Sequence, residues 1–331
     1  MAIAPDQPIR WGIISTGGIA SAFTGDLALL PDAHAVAVGS RSQSSADAFG
    51  DRFGIARRYP TYEALVADPD VDAVYVATPH PGHHAAALLA INAGKAVLVE
   101  KPFTINASEA RDLIDAAHAR GTFLMEAMWT RFLPHVIRIR EIIAAGRLGE
   151  IRSVIADHGQ WFAKNPDHRI YAPILGGGAL LDLGVYPLSF ASMIFGKPSK
   201  VTAVSDKAFT GVDAQTSVVL QYEGGRQSIS FTTLETRTAN TAVINGTDAR
   251  IEVDGVFYAP TSFRLITRER EVEHFNIEHE GHGLRHQAAE VGRCLRAGLT
   301  ESPILTLAET LSIMETMDEV RRQIGLRYPS E

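Results

Sequence analysis

Lys101 follows the aliphatic run Ala96-Val97-Leu98-Val99-Glu100 and precedes Pro102, so it is an ammonium group at the carboxyl end of a short strand. In an open parallel α/β sheet, ligands gather beyond the carboxyl ends of the strands, which puts Lys101 where chemistry is expected. A second constellation lies in Gly176-Gly177-Gly178-Ala179-Leu180-Leu181-Asp182-Leu183-Gly184-Val185-Tyr186. Asp182 and Tyr186 are four residues apart on an expected helix and so share a face. A phenol, with a pKa of about 10, is a poor base near neutrality unless a cation stabilises its anion. Lys101 is the cation that suits this role. An apolar helix carrying a carboxylate and a phenol on one face, launched from a triple-glycine loop, fits an active-site lining. Taken alone, the motif reads more readily as a buried tyrosine donating to an aspartate as a structural pair.

The elements that must position these groups alternate through the first third of the chain. β-rich runs at Ile9-Arg10-Trp11-Gly12-Ile13-Ile14, Ala35 to Val38, Ala73 to Ala77, Ala96 to Val99 and Phe123 to Met125 are separated by amphipathic stretches. That rhythm predicts a doubly wound parallel sheet. The first run leads into Ser15-Thr16-Gly17-Gly18-Ile19-Ala20, a G-x-G-x-x-A fingerprint with serine at the first glycine, whose helix amino terminus suits a pyrophosphate. After the second run, Ser40-Arg41-Ser42 stands where an acidic residue commonly binds the ribose hydroxyls of NAD. A carboxylate there repels a 2′-phosphate whereas hydroxyls and a guanidinium hold one, so NADP is the expected cofactor. The bland reading is that Arg41 is a solvated loop residue. Thr78-Pro79-His80-Pro81-Gly82-His83 follows another strand and should line the cofactor cleft, with His83 either touching cofactor or capping the helix. Tyr75, a polar ring in an aliphatic strand, reads as packing.

Composition allows this reading and removes others. The 331 residues are 46% hydrophobic and 21% charged, enough for two domains, read here as 1–127 and 128–331, with the C-terminal helices able to pack back on the first. Net charge is −7 with both signs scattered, so the basic footprint of a nucleic-acid binder is missing. Cys294 is the only cysteine, which excludes an intramolecular disulfide and fits a reducing, cytoplasmic setting. No signal-peptide pattern and no run approaching about 18 apolar residues is read, so no membrane partner is expected. After residue 127 come a helix at Pro134 to Ala145, a strand from Ile151, a helix from Leu180 to Phe195, and strand after strand from Val201 to Phe275. The last block should form a mainly antiparallel sheet, followed by helices at Leu284 to Ala297 and Leu307 to Ile324. His279, His282 and His286 tempt a metal reading, but no metal-hydrolase carboxylate pattern accompanies them, and structural or pocket-lining roles are preferred.

Glu100-Lys101-Pro102, Thr78-Pro79 followed by His83, and a glycine loop leading into Asp-x-x-x-Tyr resemble the glucose-fructose oxidoreductase and inositol dehydrogenase superfamily, Gfo/Idh/MocA. Within it the chain is most similar to the dimeric dihydrodiol dehydrogenases, also described as NADP-dependent D-xylose 1-dehydrogenases. That likeness is carried by Glu126 to Phe132, Gly177 to Tyr186, Cys294 to Pro303 and Glu319 to Gly325. The resemblance implies that Lys101 and Tyr186 are the catalytic pair, that Asp182 orients the substrate or the pair, and that Arg41 meets the NADP phosphate. It also implies Ser15 to Ile19, Ser40, Thr78, Pro79, His80, His83, Glu100, Trp129 and Arg131 on the cofactor side, Trp129 and Phe162 at the substrate, and a homodimer through the C-terminal sheet. The segment from Gln160 to Leu175 departs from the pattern and should shape the pocket. The expected activity is hydride exchange between NADP and a hydroxyl-bearing carbon of an aldopyranose or a trans-dihydrodiol. A non-catalytic NADP-binding regulator, or a same-fold enzyme using its nicotinamide transiently for elimination or glycosidic cleavage, are the rival readings.

Overall fold

The computed structural model describes Ala4, residues 7–329 and Glu331, and divides into two compact units. One holds the chain up to residue 129 together with 280–311; the other holds 130–279 and 312–331.

The first unit alternates β1 (Ile9–Ile14), α1 (Gly18–Leu27), β2 (Ala33–Gly39), α2 (Gln43–Phe53), β3 (Arg57–Tyr59), α3 (Tyr62–Val66), β4 (Ala73–Val76), α4 (His83–Asn92), β5 (Ala96–Glu100), α5 (Ala107–Arg120) and β6 (Leu124–Ala127). The strands pair in parallel in the order β3-β2-β1-β4-β5-β6, the order of a dinucleotide-binding Rossmann sheet. Covered on both faces, β4 and β5 are wholly buried, which is why they read as unbroken apolar runs. Short polar residues start the helices: Ser42 accepts from Ser45 N before α2, and Asn106 from Glu109 N before α5. Trp11 packs edge-on against Phe23, which stacks on Tyr75 with ring centroids 3.8 Å apart.

The second unit contains α6 (Pro134–Ala144), β7 (Ile151–Gly159), a π-helical stretch Leu180–Gly184 that runs into α7 (Val185–Phe195), and then β8 (Lys200–Lys207), β9 (Asp213–Gln221), β10 (Gln227–Thr233), β11 (Ala242–Gly246), β12 (Ala249–Val253), β13 (Phe263–Thr267) and β14 (Val272–Phe275). Its eight strands are ordered β14-β13-β12-β11-β7-β10-β9-β8. All pair antiparallel except β7 with β10. The sheet therefore begins earlier than the Val201 to Phe275 block, because β7 is threaded into its centre. The helix α7 packs on β7 and β10. On the other face Ile155 and Ile229, which oppose each other in register, are each 45% exposed.

The segment Pro173–Phe195 is long and apolar enough to cross a bilayer, an apolar stretch that the composition reading passed over; 83% of its most apolar window is buried within the protein, as in a core helix. Two helices close the chain, α8 (Arg285–Arg296) in the first unit and α9 (Leu307–Ile324), which is divided between the two.

Candidate active site

The residues expected to hold a cofactor gather at the carboxyl ends of β1, β2, β4 and β5, on either side of the point where the strand order reverses. Ser15 has φ +85°, the region in which glycine is easiest, which explains why the fingerprint usually has glycine there. Thr16 is half-buried and Ile19 exposed. Gly17 caps α1 without any side-chain hydrogen bond, and a Cβ built on Gly17 or Gly18 meets nothing within 4 Å. The first N–H groups of α1 thus face open space of the kind a pyrophosphate fills. Thr78 Oγ1 is buried with no hydrogen-bond partner, an orphaned polar atom on the same rim. These features fit a dinucleotide. Ser40 is buried and donates its N–H to Tyr59 O, Arg41 beside it is exposed, and Pro79 is exposed while His80 is buried.

Around Lys101 the strand end is braced from within. Glu100 is 4% exposed; its carboxylate accepts from the Tyr75 hydroxyl and from Lys101 N at 3.1 Å. Tyr75 is therefore packing with a polar purpose. His83 is 1% exposed, with Nδ1 2.9 Å from Pro102 O and Nε2 2.8 Å from Thr78 O. Burial pushes its pKa down to about 3, aided by the neighbouring His80, so the ring is neutral and its one N–H serves one of the two carbonyls. With both nitrogens facing backbone, His83 clamps the Thr78 turn to the segment carrying Lys101, a brace in place of the expected cofactor contact.

In the second unit Asp182 and Tyr186 are both buried, at 3% and 7% exposure. Asp182 is held by a two-pronged ion pair from Arg169, at 3.1 and 3.2 Å. A charge-assisted fork of this kind fixes the carboxylate in direction. Arg169 lies in the irregular segment before the glycine loop. The triple-glycine loop explains how it gets there: a Cβ on Gly177 would stand 2.7 Å from Ile170 O and 2.8 Å from Arg169 O, so only glycine lets that backbone close over the loop. The start of the helix is anchored by Asp213, 2% exposed, whose Oδ2 accepts from Leu180 N at 2.7 Å and Thr216 Oγ1 at 2.9 Å. Burial raises its pKa to about 7. Beyond it, Tyr328 Oη donates to Gly177 O at 2.8 Å.

Other expected site residues divide. Trp129 is half-buried in a short 3₁₀ turn, Trp129–Phe132. Arg131 is 1% exposed and donates to Ser189 O and Oγ, so it braces α7 and is not presented to a cofactor. Phe162 is partly buried against a core cluster of Ile170, Tyr171, Ala179, Leu183 and Leu234. His282 donates its N–H to the buried Asp26 carboxylate, with its ring Nδ1 3.2 Å away, a structural tie. Among the described residues no group of three or more His, Cys, Asp or Glu side chains is arranged for a metal. The sequence reading did not single out Arg169, His158, Gln160 or Tyr258; His158 and Tyr258 flank the Tyr186 ring, and Gln160 bonds to both of them. His158 had a signal: in β7 it continues the inward alternation Val154, Ala156, His158, a polar residue on an apolar face.

A Rossmann sheet whose first βα turn is an open anion cradle, with a lysine at the end of β5, defines a nicotinamide-dependent oxidoreductase. Residues 9–128 match the oxidoreductase family with an NAD-binding Rossmann fold, and residues 136–252 match the GFO/IDH/MocA C-terminal domain. The chain belongs to the GFO/IDH/MocA oxidoreductase family. It is 41% identical to a trans-1,2-dihydrobenzene-1,2-diol dehydrogenase of Sus scrofa, over 98% of this chain and 99% of the relative. To the enzyme of the same name in Homo sapiens it is 38% identical, with the same coverage. Among solved structures it resembles KijD10, a 3-ketoreductase from Actinomadura kijaniata in complex with NADP and TDP-benzene, at 29% identity and TM-score 0.84, over 96% of this chain and 98% of that one. It shares the fold of an aldose-aldose oxidoreductase from Caulobacter crescentus, at 24% identity and TM-score 0.88, with the same coverage.

Proposed function

We propose that this protein is an NADP-dependent dehydrogenase acting on a hydroxyl-bearing carbon of a small polyol, either an aldopyranose or a trans-dihydrodiol. The observation that carries the reading is the assembly of an anion cradle, Ser40-Arg41 and Lys101 at the carboxyl ends of strands β1, β2 and β5 of one parallel sheet, in a chain that matches dihydrodiol dehydrogenases along 98% of its length. Bound NADP supplies a nicotinamide that takes hydride from, or returns it to, the carbinol carbon. Gly17, Gly18 and the start of α1 bind the pyrophosphate, Ser40 and Arg41 the 2′-phosphate, and Thr78 the rim of the cleft. Tyr186 takes the hydroxyl proton during oxidation and returns it during reduction, with the Lys101 ammonium stabilising its phenolate. Asp182, fixed by Arg169, orients the substrate hydroxyls. No metal is needed, because the emerging carbonyl oxygen is stabilised by these donors.

The first unit then carries cofactor and the second carries substrate. The uncovered face of the second sheet, with Ile155, Ile229 and Val204 exposed, is assigned to a homodimer. The lone cysteine fits a cytoplasmic setting; burial, with Glu290 beside it, pushes the Cys294 thiol up to about 12.

Absorbance at 340 nm, with NADP and NAD in parallel across aldoses, inositols and trans-dihydrodiols, tests the reading. Reduction of NADP by one class identifies the substrate; preference for NAD overturns the role of Arg41. Tight NADP binding without turnover on any member points to a regulator, and product without net reduced cofactor to transient redox.

A further inference from the structure

Beside Tyr186 the second unit builds a chain of polar contacts that the proposed chemistry does not itself require. His158, 1% exposed on β7, packs edge-on against the Tyr186 ring at 5.2 Å between centroids and stacks on Tyr258 at 3.9 Å. The Tyr186 and Tyr258 rings are 4.8 Å apart, so the three rings touch pairwise. His158 Nδ1 is 3.1 Å from Leu183 O, in the turn that leads into α7. A carbonyl only accepts, so Nδ1 carries the proton, and a neutral ring then has a bare Nε2. Gln160 meets that requirement: its amide nitrogen lies 3.0 Å from His158 Nε2 and 3.2 Å from Tyr258 Oη, donating one proton to each. Gln160 is itself pinned through its backbone N–H to Thr233 O, and Tyr258 through its carbonyl, which accepts from Thr130 Oγ1 at 2.7 Å.

We propose that His158 and Gln160 are positioning residues for the reaction: through Leu183 O and Tyr258 they fix the ring of Tyr186, and a single histidine tautomer sets the polarity of the chain. The proposal rests on the assignment of Tyr186 to proton transfer. With Nδ1 of His158 donating to Leu183 O and the Gln160 amide donating to His158 Nε2 and Tyr258 Oη, the network holds its members more rigidly than packing alone. Placement errors of about 1 Å cost on the order of 100-fold in rate, so a ring held between His158 and Tyr258 is worth maintaining in a buried wall.

Two measurements on the full-length protein test it. Nitrogen-15 histidine spectra, with the His158 signal identified by its loss in His158→Asn, should show an Nδ1–H tautomer; an Nε2–H tautomer overturns the proposal. Kinetics on the substrate class found active should show His158→Leu lowering kcat at least about tenfold, the worth of one lost buried hydrogen bond, with the NADP dissociation constant unchanged. His158→Asn places an amide N–H at the Nδ1 position and should recover most of that loss, while His158→Gln, which reaches only the Nε2 position, should not. Equal recovery by both overturns the link through Leu183. In a Tyr186→Phe background, His158→Leu should change nothing further, because its effect passes through that ring; an additional loss means His158 acts independently and overturns the proposal. Should His158→Leu fail to fold, Gln160→Leu, at a half-buried position, must lower kcat in the same direction. If Tyr186→Phe alone keeps full turnover, the assignment of Tyr186 falls. If Tyr186→Phe is impaired and His158→Leu is not, only this inference falls.

Discussion

At the scale of single residues, the chemistry divides between groups that react and groups that hold them. Tyr186→Phe should reduce kcat by about 10²- to 10⁴-fold, the usual worth of a general acid-base group, and leave NADP affinity unchanged by fluorescence titration. A parallel loss of cofactor affinity would reassign the phenol to binding. Arg41 is exposed beside buried Ser40, so its replacement disturbs little structure. Arg41→Ala should weaken NADP about 10- to 100-fold, the worth of one or two charge-assisted hydrogen bonds, and leave NAD nearly unaffected. Equal weakening of both cofactors would remove Arg41 from the 2′-phosphate. These residues were legible because each follows a recognisable strand or glycine turn. Arg169 was not: it lies 13 residues before Asp182 in an irregular segment, and only the closure of that segment over Gly177 brings the two together. His83 shows the opposite failure, because its position beside the Thr78 turn suggested cofactor contact while both of its nitrogens face backbone carbonyls and its one N–H bonds to one of them.

At the scale of elements, the helix that presents Asp182 and Tyr186 is set by what holds its first turn. Asp213 caps Leu180 N from β9 while buried away from water. Its pKa of about 7 in the folded chain compares with about 3.9 for an unfolded aspartate, so between those values folding takes up a proton. Stability should therefore fall as pH rises through that window, by up to a few kcal/mol, and level off above about pH 7. Thermal melts of the wild type should lose more between pH 5 and 8 than those of Asp213→Asn, which keeps the acceptor for Leu180 N but has no proton to lose. Parallel curves would mean that Asp213 ionises at an ordinary pH. Strand and helix alternation placed most elements of the first unit from sequence, because central strands such as β4 and β5 are buried on both faces and read as continuous apolar runs, whereas β3, Arg57-Arg58-Tyr59, carries no such mark. The insertion of β7 between β10 and β11 had no such mark, since strand order is decided by pairing between distant segments.

At the scale of the whole molecule, the second sheet buries one face under α7 and leaves Ile155 and Ile229 side by side on the other. Sedimentation at micromolar concentration should show a dimer, and Ile155→Lys with Ile229→Lys should give a monomer that still binds NADP. A wild-type monomer would leave that face without its assigned role.

Sequence by itself determined the class of fold, the family and the residues beyond the strand ends, because periodicity, glycine turns and short motifs are local and survive without coordinates. Tertiary structure decided which polar groups serve the site and which serve the scaffold. Arg131 and His83 turned inward as braces, Arg169 emerged at Asp182, and His158 and Tyr258, linked by Gln160, emerged at Tyr186. A buried polar side chain must find its partner wherever the fold brings one, and that partner is generally far away in the chain.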